Sequence, residues 1–377
     1  MRIRLTERRD VSQNVGYLAG VDHLRGFAAI LMILYHGYQQ LGGPQFAEGA
    51  NPIESFLIEG HTAVALFLVL SGFIFTWGAL DRGADAIRYG PFMRNRLLRI
   101  LPMYVVVVVL GMYTNPGGYS LTTIVQLFTL QGTPPIVDGD LGAFGTLLWT
   151  ISVEFAFYLI FPFLFAFLRR YGPWYLVGLI GLANVLRLMS ASVNEDGIRD
   201  LSYWTIAGRI DQFLVGMLLA WFLIRRRTHD PRPAVSWLAV VGGIVLVLVA
   251  LTLYNRNGGW LASEWWKAGW PLAEALAWAV FAGAWIVASR TLSRPIAAAL
   301  ALPGIVSYSA YLLHYVFVAA LRDRGVPELV DPGRWNALAV TVVIVIPATF
   351  AVATLAYLVV ERPFMQRRVR YLADPGG

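Results

Sequence analysis

Three ionisable residues lie inside apolar segments of the sequence, where a charged side chain needs either a partner or a chemical role. Arg25 and His36 belong to the segment 24–41, and Glu154 belongs to the segment 146–168. A charge at the centre of a bilayer costs from a few to more than ten kcal/mol. In a helix, Arg25 and His36 would lie about 16 Å apart along the axis, on nearly the same face.

His36 and Glu154 have the chemistry of an acid–base pair. If the first segment runs outward and the second inward, both residues reach a similar depth, with Glu154 about 12 Å below the outer surface. An imidazole titrates near neutral pH, so His36 could accept the proton of a hydroxyl while Glu154 orients the ring. The alternative is structural, namely a core histidine or a hydrogen bond that only joins two helices.

A basic cluster is predicted at the cytoplasmic end of the same bundle. Arg96 and Arg99 are one helical turn apart and share a face. Together with Arg25 they would form a pocket of forked donors suited to phosphate groups. The alternative for each arginine is an anchor at the membrane surface, the usual place of cytoplasmic positive charge.

Two further polar groups interrupt later apolar segments. Arg209 and Asp211 stand in 203–224, and Tyr311 and His314 stand in 296–320. Either group could bind a polyhydroxylated acceptor, or could form hydrogen bonds to neighbouring helices.

The composition predicts an all-α membrane protein with one domain, 1–377. The chain is 57% hydrophobic and 14% charged, whereas soluble proteins average about 25% charged residues. Apolar segments close to the length of a bilayer span recur throughout. They are 24–41, 61–80, 100–113, 146–168, 174–190, 203–224, 234–253, 271–288, 296–320 and 336–360.

The same composition excludes several kinds of site. The net charge of +7 comes from arginines in short loops between apolar segments, so we do not expect nucleic acid as a partner. Cysteine is absent, which excludes disulfides, thiolate metal sites and a cysteine nucleophile. The histidines lack the spacing of a zinc site. We therefore expect no metal.

Arginine-rich loops predict ten spans in a bilayer, with both termini in the cytoplasm. The basic segment 1–20 and the tail 361–377 are then cytoplasmic. This count requires that 121–131, about eleven residues, does not cross and instead forms a re-entrant or surface helix. The segment 114–145 becomes an outer loop.

Several motifs together resemble the bacterial type-3 acyltransferases, a family of integral membrane proteins that modify sugars and natural products. They occur in the family order along essentially the whole chain. They are Arg25 with His36, FLVLSGF with Ser71, Arg96 with Arg99, LWTISVEFAFY with Trp149, Ser152, Glu154 and Tyr158, then SYSAYLLH, and finally ERPF from Glu361 to Phe364.

The resemblance implies a location in the inner membrane of a bacterial cell and an acyl-coenzyme A donor, usually acetyl, that enters from the cytoplasm. The acceptor would be a hydroxyl of a saccharide, a lipid-linked glycan or another small molecule. We expect His36 to be the general base, Glu154 to orient it, and Arg25 to bind donor phosphate or polarise the thioester. Arg96, Arg99 and Ser71 would bind the donor, because their motifs match those of the family.

Two questions stay open at the level of sequence. Ser152 is predicted to bind substrate with Arg209, Asp211, Tyr311 and His314, but an acyl group could also pass through a covalent intermediate on histidine, Ser71 or Ser152. A transporter or flippase with an Arg–His–Glu proton relay, or a purely structural scaffold, are the alternatives to an enzyme. The sequence does not predict an oligomeric state.

Overall fold

A computed structural model describes residues 14–131, 141–226 and 232–373. In these ranges the regular structure is helical, with one isolated bridge between Ile87 and Leu372. The predicted all-α class is confirmed. The α-helices of these ranges are α1 (Ala19–Gln40), α2 (Pro52–Ile58), α3 (Ala63–Asp81), α4 (Tyr89–Thr114), α5 (Leu121–Phe128), α6 (Gly142–Gly145), α7 (Trp149–Tyr171), α8 (Pro173–Val193), α9 (Ile198–Trp204), α10 (Ile206–Arg225), α11 (Pro233–Arg256), α12 (Trp270–Ala288), α13 (Arg294–Ile305), α14 (Ser307–Arg324), α15 (Arg334–Val340), α16 (Ile346–Ala356) and α17 (Arg362–Met365).

Within the described residues, eight helical stretches are long and apolar enough to cross a membrane. A ninth results if α13 and α14, which meet at an angle of 57°, form one bent span. The helix α1, which carries Asp22 and Arg25, is not among them, and the predicted count of ten is not confirmed. The eight are Gly60–Asp81, Tyr89–Thr114, Gly142–Tyr171, Pro173–Val193, Ile206–Arg225, Pro233–Arg256, Trp270–Thr291 and Arg334–Met365.

The predicted short helix between two spans is present. The helix α5 has eight residues, about 12 Å of length, which is too short to cross a bilayer. The segment 121–131 is therefore not among the helical stretches that are long enough to span, and its predicted surface or re-entrant placement stays a prediction.

The arginine-rich loops meet at one end of the bundle, here named the arginine end (loops 82–88 and 169–172, tail 366–373). Arg169 forms an ion pair with Asp85 at 2.9 Å. Arg88 donates to the Arg370 carbonyl at 2.7 Å. These contacts bring three segments that are distant in sequence to the same side.

Other loops meet at the opposite end, here named the far end (loops 42–59, 194–205, 257–269 and 325–333). Asn255 donates to the Ala47 carbonyl at 2.8 Å, and Arg334 pairs with Glu54 at 2.5 Å. The loops are thus sorted into two groups, as expected for a bundle that crosses a membrane repeatedly.

Close helix contacts hold the helices that carry the polar residues. A Cβ added at Gly72 of α3 would lie 2.1 Å from the Phe213 carbonyl oxygen of α10. One at Gly304 of α13 would lie 2.0 Å from the Asp22 carbonyl oxygen of α1. Only glycine allows such approach between membrane helices, so these two positions fix α3 and α1 in the bundle.

Buried charges tie the loops of the far end together. Lys267 donates to the Tyr254 hydroxyl at 2.7 Å and stands 4.3 Å from the centre of that ring. Burial lowers the pKa of Lys267 to about 8, although Glu59 counteracts this shift. Burial raises the pKa of Glu59 to about 8, although Lys267 counteracts it. Desolvation therefore outweighs the attraction between the two groups.

The buried Glu59 predicts a pH-dependent stability. Between its ordinary pKa of 4.5 and the value of about 8 in the fold, the folded protein holds a proton that the unfolded chain has lost, so stability falls as pH rises through this window. We expect the apparent melting temperature of purified wild type to fall more between about pH 5.5 and about pH 7.5 than that of Glu59→Gln.

The matched control is Glu48→Gln, because Glu48 lies exposed at the same end. It should keep the wild-type pH dependence. If the melting temperature falls equally with pH in wild type and in Glu59→Gln, the raised pKa of Glu59 is contradicted.

Candidate active site

A cavity of about 900 Å³ lies between the helices that carry the predicted catalytic motifs. Its walls come from α1, α3, α4, α7, α13 and α14, together with residues before α1 and after α17. Alanines and leucines of α13 form one apolar side. The polar residues that carry the argument below are Arg25, Ser71, Arg96, Arg99, Glu154 and Tyr158.

Glu154 is held by two hydroxyl groups on the cavity wall. Ser71 Oγ donates to Glu154 Oε1 at 2.9 Å, and the Tyr158 hydroxyl donates to the same oxygen. Tyr158 lies one helical turn after Glu154 in α7, so the motif spacing places both on one face. Ser71 of α3 and the Glu154–Tyr158 pair of α7 therefore form one hydrogen-bonded unit.

The three predicted phosphate-binding arginines reach the same cavity. Arg99 Nη1 donates to Glu361 Oε2 at 2.6 Å, so part of its hydrogen-bonding capacity is used within the protein. Arg96 lies over the Phe75 ring at 4.5 Å. Its buried Nε has no hydrogen-bond partner among the described residues. Arg25 lines the same cavity as Arg99 and Glu154.

His36 is paired differently from the sequence prediction. Its Nδ1 lies 2.9 Å from His314 Nε2, whereas Glu154 is bonded to Ser71 and Tyr158. The predicted direct pairing of His36 with Glu154 is not observed, because depth along a helix does not determine the direction in which a side chain points. His36 and His314 do not line the cavity, but Tyr311, whose ring centre is 5.9 Å from that of His314, does.

The cavity reaches the arginine end, where the segments 15–18 and 365–371 form part of its lining. Asn95 of α4 donates to the Val369 carbonyl at 2.6 Å and accepts from its amide at 2.9 Å. Asn14 also donates to that carbonyl, at 3.0 Å. Burial raises the pKa of Tyr371, and burial together with Asp22 raises that of Tyr17. Both phenols at this mouth are therefore neutral donors near pH 7.

The predicted acceptor-binding residues fall into two groups. Tyr311 lines the cavity, and its hydroxyl is 2.9 Å from Thr150 Oγ1. Ser152 is buried, with no hydrogen-bond partner for its Oγ among the described residues. Arg209 and Asp211 lie away from the cavity, on α10.

Arg209 and Asp211 have protein partners that account for their charges. Arg209 approaches Glu274 at 3.7 Å. Asp211 forms a buried ion pair with Arg187, which also donates to the Ala268 carbonyl at 2.7 Å. These contacts join α8, α10 and α12 near the far end.

Sequence reasoning missed two residues that organise the structure. Arg187 stands inside the apolar segment 174–190, and a lone arginine there signals a buried partner. Asn95 lies between two arginines of the basic motif, and nothing in the sequence marks its contact with the tail. Across the described ranges, no group of three or more acidic, histidine or cysteine residues could hold a metal ion.

Comparison with known proteins places the chain among acyltransferases. The sequence profile of the acyltransferase domain, type 3, matches residues 18–358. No solved structure matches. The acyltransferase MdmB of Streptomyces mycarofaciens is 32% identical over 165 residues, which are 41% of this chain and 40% of that protein.

Two relatives match over nearly the whole chain. A Staphylococcus aureus (strain COL) protein, whose name gives O-acetyltransferase as an assumed activity, is 24% identical over 94% of this chain and 58% of its own length. Nodulation protein 10 of Rhizobium leguminosarum bv. viciae is 26% identical over 95% of this chain and 96% of its own length. The chain thus spans about half the length of MdmB and of the Staphylococcus aureus protein. Because the profile covers nearly all of it, the chain belongs to the type-3 acyltransferase family.

Proposed function

We propose that the protein transfers an acyl group, in the first instance acetyl, from acyl-coenzyme A to a hydroxyl of a saccharide, lipid-linked glycan or other small molecule. The observation that carries this proposal is the single cavity that joins three arginines to the Ser71–Glu154–Tyr158 unit. Its volume is in the range of cofactor sites, about 300–1,000 Å³.

The arginines are proposed to bind the phosphates of the donor. Arg25 and Arg96 form no salt bridge with described residues, so their charges remain available to a ligand. Forked guanidinium donors bind phosphate oxygens in pairs. Arg99, held by Glu361, supplies a fixed charge beside them, and Ser71 lies deeper on the same wall.

The proposed reaction starts from an already activated thioester, so positioning and one proton transfer suffice. His36 takes the proton of the acceptor hydroxyl while the hydroxyl oxygen attacks the thioester carbonyl carbon. The carbon–sulfur bond then breaks, and the imidazolium returns the proton to the leaving thiolate. Arg25 is proposed to polarise the carbonyl or bind phosphate. The Glu154 carboxylate is proposed to hold the positively charged arginine side chains in place around the thioester.

The alternatives are distinguishable by assay. Direct transfer releases thiol only when an acceptor is present, whereas a covalent intermediate on Ser71 or Ser152 gives a burst of thiol without one. A transporter with a proton relay would move solute without consuming acyl-coenzyme A; no structural observation favours it over the enzyme. Mass comparison of cell-surface glycans and secreted metabolites, with and without the protein, identifies the acceptor.

The first prediction from the proposed function concerns His36. His36→Ala should abolish formation of the acylated product in cells, because no other described group takes the place of the base, while protein level and acetyl-coenzyme A affinity stay near wild type. Product mass per unit of membrane protein and calorimetric donor binding measure the two quantities. Turnover within a few-fold of wild type would remove His36 from the chemistry.

The second prediction concerns the arginines. Arg96→Ala should weaken acetyl-coenzyme A binding by ~1.5–3 kcal/mol, roughly 10- to 150-fold in Kd, because a charge-assisted contact to phosphate is lost. The Kd of Arg96→Lys should lie between those of wild type and Arg96→Ala, since lysine keeps the charge but lacks the forked guanidinium donors. Dephosphorylated donor analogues should be less sensitive to the change.

The matched control is Arg94→Ala, because Arg94 is exposed on the same helix and does not line the cavity. It should bind donor as wild type does. Equal donor affinity in wild type and a folded Arg96→Ala, Arg99→Ala double variant would show that these residues only anchor the helix.

The ten-span arrangement is the third prediction, with both termini in the cytoplasm of a bacterial cell and the far end outside. Cysteine is naturally absent, so single cysteines report position without background. Gly117→Cys and Asn257→Cys should react with an impermeant thiol reagent in cells whose outer envelope is opened. Ala86→Cys and Ala373→Cys should react only after lysis. Protection of residue 117 alone would overturn the placement of the loop around α5.

A further inference from the structure

The contact between His36 and His314 restricts which nitrogen carries a proton in each ring. His314 Nδ1 lies 2.7 Å from the Tyr311 carbonyl oxygen and 3.3 Å from that of Ala310. A carbonyl oxygen only accepts, so this nitrogen must carry a hydrogen. His314 Nε2 lies 2.9 Å from His36 Nδ1.

His314 is neutral in this position. Its side chain is fully buried, and no carboxylate among the described residues forms a salt bridge with it. An unpaired imidazolium in such surroundings is strongly unfavourable. With its single hydrogen on Nδ1, His314 presents a lone pair at Nε2, and the hydrogen of the shared contact belongs to His36 Nδ1.

The remaining nitrogen of His36 is therefore the basic one. The hydrogen on His36 Nδ1 is the one that His314 Nε2 accepts, at 2.9 Å, and a neutral imidazole carries only one such hydrogen. Nε2 of His36 then has its lone pair free, with no hydrogen-bond partner among the described residues.

We infer that His314 is a positioning residue, which fixes the tautomer and direction of His36 so that Nε2 is the proton acceptor. This inference rests on the proposed function, in which His36 is the base. When Nε2 takes the proton of the acceptor hydroxyl, the bond from His36 Nδ1 to His314 becomes charge-assisted and stabilises the imidazolium. The Tyr311 carbonyl holds His314, while the Tyr311 ring forms part of the cavity wall.

The test compares two amides that differ by one methylene. His314→Gln places an acceptor oxygen near the position of Nε2, where it can take the hydrogen bond of His36. His314→Asn places its amide near Nδ1, too far from His36 to do so. We expect Gln to retain turnover within a few-fold of wild type and Asn to lose about 10- to 100-fold in kcat, the usual loss for a group that orients a functional side chain.

Both variants should keep the wild-type KM for acetyl-coenzyme A, since neither changes the arginines. In a His36→Ala background, the Asn and Gln variants should have the same residual activity, because the residue that His314 orients is absent. Equal losses for Gln and Asn, or a loss confined to KM, would overturn the inference.

The two proposals fail in different ways. If His36→Ala is inactive while His314→Asn keeps full kcat, His36 remains the base and only the role of His314 is wrong. If His36→Ala is active, the base itself is wrong and the positioning role falls with it.

Discussion

The cost of burying charge in an apolar helix bundle governs most of this structure. Nearly every buried cation has an anionic or carbonyl partner, as Arg187 has Asp211 and Arg99 has Glu361. Breaking such a pair by removing one member typically costs about 3–5 kcal/mol. Arg96 is an exception, because it has an aromatic ring beneath it and no salt bridge among the described residues. A phosphate-bearing ligand in the cavity would supply the negative charge that Arg96 lacks.

The same constraint explains why the helices are glycine-packed and broken where they are. Gly72 lets α10 approach the helix that carries Ser71, and Gly304 lets α13 approach the helix that carries Arg25. The bend of 57° between α13 and α14 interrupts one apolar segment beside the cavity. Irregular backbone at membrane depth is tolerated where it borders such a cavity, and this break separates an apolar wall from the helix that carries Tyr311 and His314.

The sequence was sufficient for properties that depend on one segment at a time. Apolar length predicts most of the candidate spans, and the shortness of the apolar segment 121–131 agrees with the eight-residue helix α5. Helical spacing also predicts that Arg96 and Arg99 face one direction, and both line the cavity. Properties that need the rotation of one helix against another were out of reach. His36 and Glu154 were matched by depth, yet each is bonded to another residue.

The separation of functional groups along α1 limits which donors fit. Arg25 and His36 are eleven residues apart, about 16 Å along the helix axis. Arg96 and Arg99 lie near the end of α1 that carries Arg25. The Tyr311–His314 contact lies near the end that carries His36. A short acyl phosphate could not place its phosphate among the arginines and its carbonyl beside His36 at once. A donor whose phosphates and thioester are joined by a long arm could, so the distance along this helix supports the proposed acyl-coenzyme A donor, given the proposed roles of the arginines and of His36.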